Sequence, residues 1–197
     1  MVNVAVLVSG GGTNLQALLD AEKEGKYRNA HIALVVASKP GVYALERAAK
    51  AGVESAVVSR KDFASAEEFN DAMLNTLKEH GIGAVVLAGY LSMVGENVIA
   101  AYRDKILNVH PSLIPSFCGP GFYGLRVHEA ALAKGVKVTG ATVHLVNEKY
   151  DDGRIVLQKA VDVLPGDTPE VLQRRVMEQA EWILLPRALD MLTSGEV

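Results

Sequence analysis

An amide and an imidazole lie two residues apart near the middle of the chain, at Asn108 and His110. The apolar residues around them predict a strand over residues 105–109. Side chains two apart on a strand point to the same face, so Asn108 and His110 would project together. Ligands of open α/β sheets collect at the carboxyl ends of the strands, and an amide beside an imidazole suits stabilisation of a negative oxygen. A structural histidine beside the turn at Pro111 is an equally good interpretation of the pair taken alone.

A glycine-rich segment, Ser-Gly-Gly-Gly-Thr-Asn at residues 9–14, stands between the first predicted strand and the first predicted helix. Glycines let a backbone approach a ligand closely, and the N–H groups at a helix start favour an anion, so phosphate is the natural guest. A dinucleotide fingerprint fits poorly, because Leu15 occupies the third glycine position and no acidic residue follows the second strand. The chain also lacks the Gly-Lys-Ser/Thr of a Walker A loop. A tight turn required only by topology is the alternative.

Two adjacent acids, Asp151 and Asp152, precede Gly153 between two late strand candidates. Acids before a glycine are most often a solvated turn. A carboxylate that reached His110 would instead orient the imidazole and hold one tautomer. The turn is therefore a candidate third part of the site.

Elements that could position these residues alternate along the first half of the chain, where continuous apolar strands separated by helices predict a parallel sheet covered on both faces. The second half predicts an antiparallel hairpin and then a helix that begins near Pro169, which Pro186 should kink or end. The fold class is α/β, and residues 1–197 read as a single domain. The predicted strands are residues 4–8, 31–37, 53–58, 84–88, 105–109, 137–146 and 154–163, and the earlier predicted helices are residues 15–22, 43–51, 64–80 and 127–134.

The composition limits the partners. The 197 residues are 49% hydrophobic and carry a net charge of −3, with no long block of Lys or Arg. Neither nucleic acid nor a membrane surface is an expected partner, because both require a concentrated basic patch. No apolar run is long enough for a membrane span, and the N-terminus lacks the pattern of a signal peptide. With Cys118 as the only cysteine, a reducing compartment, the cytoplasm, is expected.

Taken together and in this order, the three groups of residues resemble the phosphoribosylglycinamide formyltransferases, folate-dependent enzymes of purine biosynthesis. The resemblance rests on the glycine-rich loop, on residues 108–115 (Asn-Val-His-Pro-Ser-Leu-Ile-Pro), and on residues 140–144 (Gly-Ala-Thr-Val-His) running on to Gly153. It implies a Rossmann-like formyltransferase fold, a mostly parallel sheet flanked by helices with an antiparallel strand pair in the C-terminal half. It also implies formyl transfer from 10-formyltetrahydrofolate, as co-substrate, to the amine of phosphoribosylglycinamide, with no metal and with a homodimer as one alternative.

The same resemblance implies roles for particular residues. Asn108, His110 and Asp151 are similar to the catalytic trio, and Glu181, five residues before Pro186, to the acid that meets the ribose. Compared with the family pattern, this chain has one extra residue between Arg175 and Glu181. The implied substrate-phosphate cradle is Gly11, Gly12, Thr13 and Asn14, and the implied folate-binding set is Leu91, Ser92, Met93, Val94, Asn108, Asn147, Tyr150 and Asp151.

Other readings stay open from the residues alone. Other formyltransferases and formyltetrahydrofolate hydrolases share an Asn, His and Asp set, while a nicotinamide oxidoreductase and a non-catalytic phosphoribosyl-binding module are more distant alternatives. Residues 116–125 contain Gly119, Gly121 and Gly124 among aromatic side chains. We expect this segment to cover the site, and a fixed loop whose aromatic side chains fill a small core is the alternative.

Overall fold

A seven-stranded sheet forms the centre of the molecule, in the order β3-β2-β1-β4-β5-β6-β7. The computed structural model describes all residues, 1–197. The first five strands pair in parallel, and the last two run antiparallel to their neighbours. The strands are β1 Val2–Val8, β2 Ala30–Ala37, β3 Glu54–Val57, β4 Ala84–Leu87, β5 Ile106–His110, β6 Val138–Leu145 and β7 Ile155–Asp162.

The predicted fold class is confirmed, and one detail goes beyond it. The hairpin of β6 and β7 was expected, whereas the antiparallel pairing of β6 with β5 was not. This second pairing places Asn108 directly opposite His144. Sequence periodicity cannot give such a register, because it depends on which strand is the neighbour.

Helices cover both faces of the sheet. A core of 29 buried residues lies on the face of α1, α2, α6 and α7, and a second core of 15 lies on the face of α3 and α4. The helix α4 was not predicted, because its six residues are too few to show a clear period. The helices are α1 Thr13–Lys23, α2 Tyr43–Ala51, α3 Ala66–Glu79, α4 Glu96–Ala101, α5 Leu125–Lys134, α6 Pro169–Val176 and α7 Trp182–Thr193, with a short 3-10 turn at Arg60–Asp62.

The C-terminal helix does not end at Pro186. Proline lies inside α7, and the irregularity lies before it, where Met177–Glu181 forms one π-helical turn between α6 and α7. Proline lacks an N–H and its ring crowds the carbonyl four residues back, which for Pro186 is that of Trp182 at the start of α7. Because α7 continues through Pro186 to Thr193, the prediction that the helix ends at Pro186 is wrong. No helix in the structure is both long and apolar enough to cross a membrane.

Candidate active site

The carboxyl end of β5 carries Asn108 and His110, and the turn after β6 brings Asp151 beside them. His110 Nδ1 lies 3.7 Å from Asp151 Oδ2, and both side chains are largely buried. On the other side of the ring, His110 Nε2 lies 2.9 Å from the carbonyl oxygen of Phe117. A carbonyl only accepts hydrogen bonds, so Nε2 carries a hydrogen there. Any proton on Nδ1 then faces the carboxylate of Asp151.

His144 is a member of this cluster that sequence reasoning missed. Its Nδ1 donates to the carbonyl of Leu145 at 2.8 Å, which leaves Nε2 free to accept from Asn108 Nδ2 at 3.1 Å. His144 Nε2 also lies 3.6 Å from Asp151 Oδ1, too far for a hydrogen bond. The signal that could have found it is the motif at residues 140–144, which ends in a histidine on a buried strand.

The turn that carries Asp151 has a specific shape. Asp151 adopts a positive φ of 50°, and its Oδ2 accepts a hydrogen bond of 2.8 Å from the N–H of Gly119. A Cβ added to Gly153 would lie 1.6 Å from the Leu145 carbonyl oxygen, so only glycine fits there. The two acids and the glycine thus form a well-defined turn, in which Asp151 faces inward and Asp152 is exposed.

The environment of Asp151 favours its ionised form. Burial alone would raise the pKa of this carboxyl, but the His144 ring, the Gly119 N–H and the His110 ring together hold it below its ordinary value. A further histidine, His128, is fully buried close to this group with both ring nitrogens unpartnered. Burial, and then the nearby His110, lower the pKa of His128 to about 4. His128 is therefore neutral near pH 7, which makes it a poor source of protons.

A cavity of about 400 Å³ opens in front of the cluster. It is lined by all the residues that the resemblance groups around folate, which lie on the loops after β4 and β6 and, for Asn108, on β5. The apolar side chains of Leu91, Met93 and Tyr150 are 65%, 60% and 55% exposed here. Exposed apolar walls with a few convergent polar groups are typical of a small-molecule site. Residues 119–124 form another wall.

The glycine-rich loop lies at the start of α1 and leaves several backbone amides without acceptors. Gly12 is the N-cap residue of α1 and has a φ of 71°. Among the backbone hydrogen bonds, the amide N–H groups of Gly11, Gly12, Thr13 and Asn14 have no acceptor. No side chain caps this end of the helix. Unpaired amides at a helix start form a phosphate-binding geometry without any basic residue.

Glu181 meets the same loop from the other end of the sequence. Its Oε2 accepts a 2.7 Å hydrogen bond from Asn14 Nδ2, and it is only 5% exposed. Burial raises the pKa of Glu181 to about 7, although the bond from Asn14 acts in the opposite direction. Asn14 Oδ1 is buried without a partner.

A larger cavity, of about 610 Å³, lies between α1 and α7 and does not include the Asn108 and His110 cluster. It reaches Thr13 and Arg47 beside the glycine-rich loop and ends near Lys26 and Asp190. The structure contains no group of three or more His, Cys, Asp or Glu side chains placed to hold a metal ion.

Comparison with known proteins decides the family. A family model for formyl transferases matches residues 2–189 of the chain. The chain belongs to the formyl transferase family. Phosphoribosylglycinamide formyltransferase of Haemophilus influenzae is 38% identical over 197 residues, which cover 100% of this chain and 90% of that protein.

Solved structures of formyl transferases share the fold as well. Glycinamide ribonucleotide transformylase 1 from Symbiobacterium toebii superposes with a TM-score of 0.92 at 40% identity, covering 99% of this chain and 89% of that one. The family domain also occurs in much longer proteins. The trifunctional purine biosynthetic protein adenosine-3 of Drosophila melanogaster is 41% identical over 98% of this chain, which spans only 14% of that protein's length.

Glu181 is the last residue of the π-helical turn Met177–Glu181 between α6 and α7. Its side chain faces Asn14, as the bond between them shows. The resemblance implies one extra residue in this interval, and a π-helical turn holds more residues than an α-helical turn.

Proposed function

We propose that the chain transfers the formyl group of 10-formyltetrahydrofolate to the glycinamide amine of 5'-phosphoribosylglycinamide. The products are formyl-phosphoribosylglycinamide and tetrahydrofolate. The observation that carries the proposal is the convergence of Asn108, His110 and Asp151 on one cavity with exposed apolar walls. The names of the full-length bacterial relatives support the same reaction.

The attacking amine needs little activation. An α-amino group has a pKa near 8, so a useful fraction is neutral at physiological pH. Its lone pair forms a bond to the formyl carbon, and the C=O electron pair moves to oxygen. The adduct therefore carries a negative oxygen and a positive nitrogen. Stabilising this charge is the main task of the site.

Asn108 and His110 are placed to stabilise the negative oxygen. One hydrogen of the Asn108 amide is donated to His144, which leaves the other for the oxyanion. The Nδ1 of His110 is 3.7 Å from Asp151, longer than a hydrogen bond. A proton on Nδ1 can therefore be donated to the oxyanion, while the carboxylate of Asp151 balances the charge of the ring.

The second half of the reaction moves one proton. His110 or a water held by Asp151 delivers a proton to the folate N10, and the positive nitrogen then returns a proton to the same group. The bond between carbon and N10 then breaks, its electron pair stays on N10, and the C=O bond forms again. No covalent enzyme intermediate is required, and Cys118 has no role in this scheme.

The two substrates occupy different ends of the site. The acceptor phosphate binds to the free amides of the Gly11 to Asn14 loop, and the ribose binds at Glu181. The folate ring lies in the cavity against Leu91, Ser92, Met93 and Val94. The backbone from Asn147 to Asp151, with Tyr150 exposed, encloses its other side.

A single assay separates this proposal from its alternatives. The purified chain is mixed with 10-formyltetrahydrofolate and phosphoribosylglycinamide, and both products are followed by mass spectrometry. We expect formyl-phosphoribosylglycinamide and tetrahydrofolate in equal amounts. Tetrahydrofolate release at the same rate without an acceptor would instead identify a hydrolase. Free glycinamide, which lacks the ribosyl phosphate, is the matched control and should react poorly.

A further inference from the structure

The helix α2 holds two successive carbonyl groups of the glycine-rich loop. The N–H of Ala44 donates to the carbonyl of Gly10 at 3.2 Å. Arg47 Nε donates to the carbonyl of Gly11 at 2.8 Å. Both acceptors thus point toward α2.

The direction of a carbonyl fixes the direction of the next amide. In a planar trans peptide, the C=O of one residue and the N–H of the next point in opposite directions. The N–H groups of Gly11 and Gly12 therefore point away from α2, and neither bonds to a backbone carbonyl. Successive amides turned to one side form a concave anion-binding nest.

The side chain of Arg47 is itself held in place. Its Nη1 donates to Gln16 Oε1 at 2.9 Å, and its guanidinium lies 4.9 Å from the centre of the Tyr43 ring. The fit also depends on Gly12, where an added Cβ would lie 2.7 Å from Ala44 Cβ. Three contacts of different kinds thus fix one guanidinium against the loop.

We propose that Arg47 is a positioning residue for the acceptor phosphate, which acts by holding the Gly11 carbonyl so that the Gly12 N–H faces the ligand. The inference rests on the proposed function, since it assumes that this loop receives a phosphate. Arg47 contributes to acceptor binding and not to the chemistry at His110. The anion it prepares for is a phosphate monoester dianion, bound through backbone amides.

Two substitutions of Arg47 and one control test the inference. Arg47→Met keeps the apolar stem and removes all donors, and Arg47→Lys keeps the charge but replaces the planar guanidinium fork with one flexible ammonium group. Lys50→Met is the matched control, one helical turn further on and also over the Tyr43 ring, at 5.4 Å. Each protein is assayed for kcat and for both KM values, and inorganic phosphate binding is followed by the NMR shifts of the Gly11 and Gly12 amides. Melting temperatures verify that each variant is folded.

Arg47→Met should raise the acceptor KM roughly tenfold or more, the scale of losing one hydrogen bond from a charged donor. Its kcat and folate KM should stay within about twofold of the unmodified protein, and phosphate affinity should fall in parallel.

Arg47→Lys should recover only part of the loss, and full recovery would overturn the positioning role in favour of charge alone. Equal phosphate affinity in Arg47→Met and Lys50→Met would overturn the inference while leaving the proposed function intact. Absence of phosphate binding in the unmodified protein would overturn the acceptor site and the inference together.

Discussion

At the scale of single residues, the hydrogen bonding of the site depends on which ring nitrogens of His110 and His144 carry a hydrogen. The Phe117 carbonyl requires a hydrogen on His110 Nε2, and the Leu145 carbonyl requires one on His144 Nδ1. The two histidines thus have opposite tasks toward their neighbours. His144 accepts from Asn108 and orients the amide, whereas His110 presents Nδ1 to Asp151 and the cavity.

Replacement of His110 by alanine should separate chemistry from binding. We expect the rate of formyl transfer to fall by roughly 10² to 10⁴, the usual contribution of a positioned acid or base. Both substrates should still bind, because the proposed phosphate and folate contacts lie on other parts of the site. Single-turnover kinetics and equilibrium titration measure the two effects. His31→Ala, at an exposed position near the start of β2, is the control. Near-normal turnover in His110→Ala would show that His110 is a structural residue.

Glu181 should make the free protein less stable as pH rises. Its pKa is about 7 when folded, against an ordinary value of 4.5, because burial disfavours the charge. The folded state therefore holds this proton longer than the unfolded state, so the stabilisation is complete below pH 4.5 and is lost as pH rises through about 7. The loss is on the order of 3 kcal/mol. Urea unfolding of the unmodified protein and Glu181→Gln between these limits should show a smaller pH dependence in the variant, and parallel curves would contradict the shift.

At the scale of elements, the start of α1 packs directly on α2 through Gly12. A methyl group there would lie 2.7 Å from Ala44 Cβ, and the φ of 71° is unfavourable for any residue with a side chain. Gly12→Ala should therefore move the loop and raise the acceptor KM far more than the folate KM. Gly25→Ala is the control, since Gly25 has a φ of 70° with open space around it. Equal effects on both substrates would argue against a dedicated acceptor site.

The segment at residues 116–125 should protect the site from water. Its Phe117 carbonyl accepts a hydrogen bond from His110, and its Gly119 N–H donates one to Asp151. The centres of the Phe117 and Phe122 rings lie 6.4 Å apart. Substrates add apolar surface to these contacts, so we expect order to increase on binding and hydrolysis of the formyl donor to be suppressed. Crystals of the free and doubly liganded protein measure this. Identical positions and B-factors in both would show a fixed loop.

At the scale of the whole molecule, electrostatic steering should be weak. The net charge is −3 and the proposed phosphate cradle is built from neutral amides, with Arg47 as the one cation bonded to the loop, so we expect little long-range attraction of the acceptor. We expect sodium chloride to change kcat/KM for the acceptor by less than about threefold up to physiological ionic strength. Sodium sulfate at matched ionic strength should raise the acceptor KM by competing for the amides, with the folate KM unchanged. Equal effects of both salts would contradict an anion site of this kind.

Assembly is a separate property of the whole molecule. The edge strand β7 exposes polar side chains such as Gln158 and Lys159, which discourage pairing between sheets of two copies. A homodimer therefore stays a prediction for sedimentation velocity to test, and we expect any dimer to use helices and not this edge.

The sequence by itself determined the features that depend on near neighbours. Alternating apolar runs and helical periods gave the α/β class and most element bounds, because both periods are local properties of the chain. The same local rule placed Asn108 and His110 on one strand face and put the glycine-rich loop at a helix start. Resemblance to a family then connected these with Asp151 and Glu181.

Only the tertiary structure decided which distant groups meet. His144 faces Asn108 because β6 pairs antiparallel with β5 in one register, and a shift of one residue would turn the ring away. Glu181 reaches Asn14, 167 residues away in sequence, because the C-terminal helix packs against α1. Arg47 meets the Gly11 carbonyl only because Gly12 leaves room for α2. Each of these contacts depends on the packing of separate elements, which no period in the sequence records.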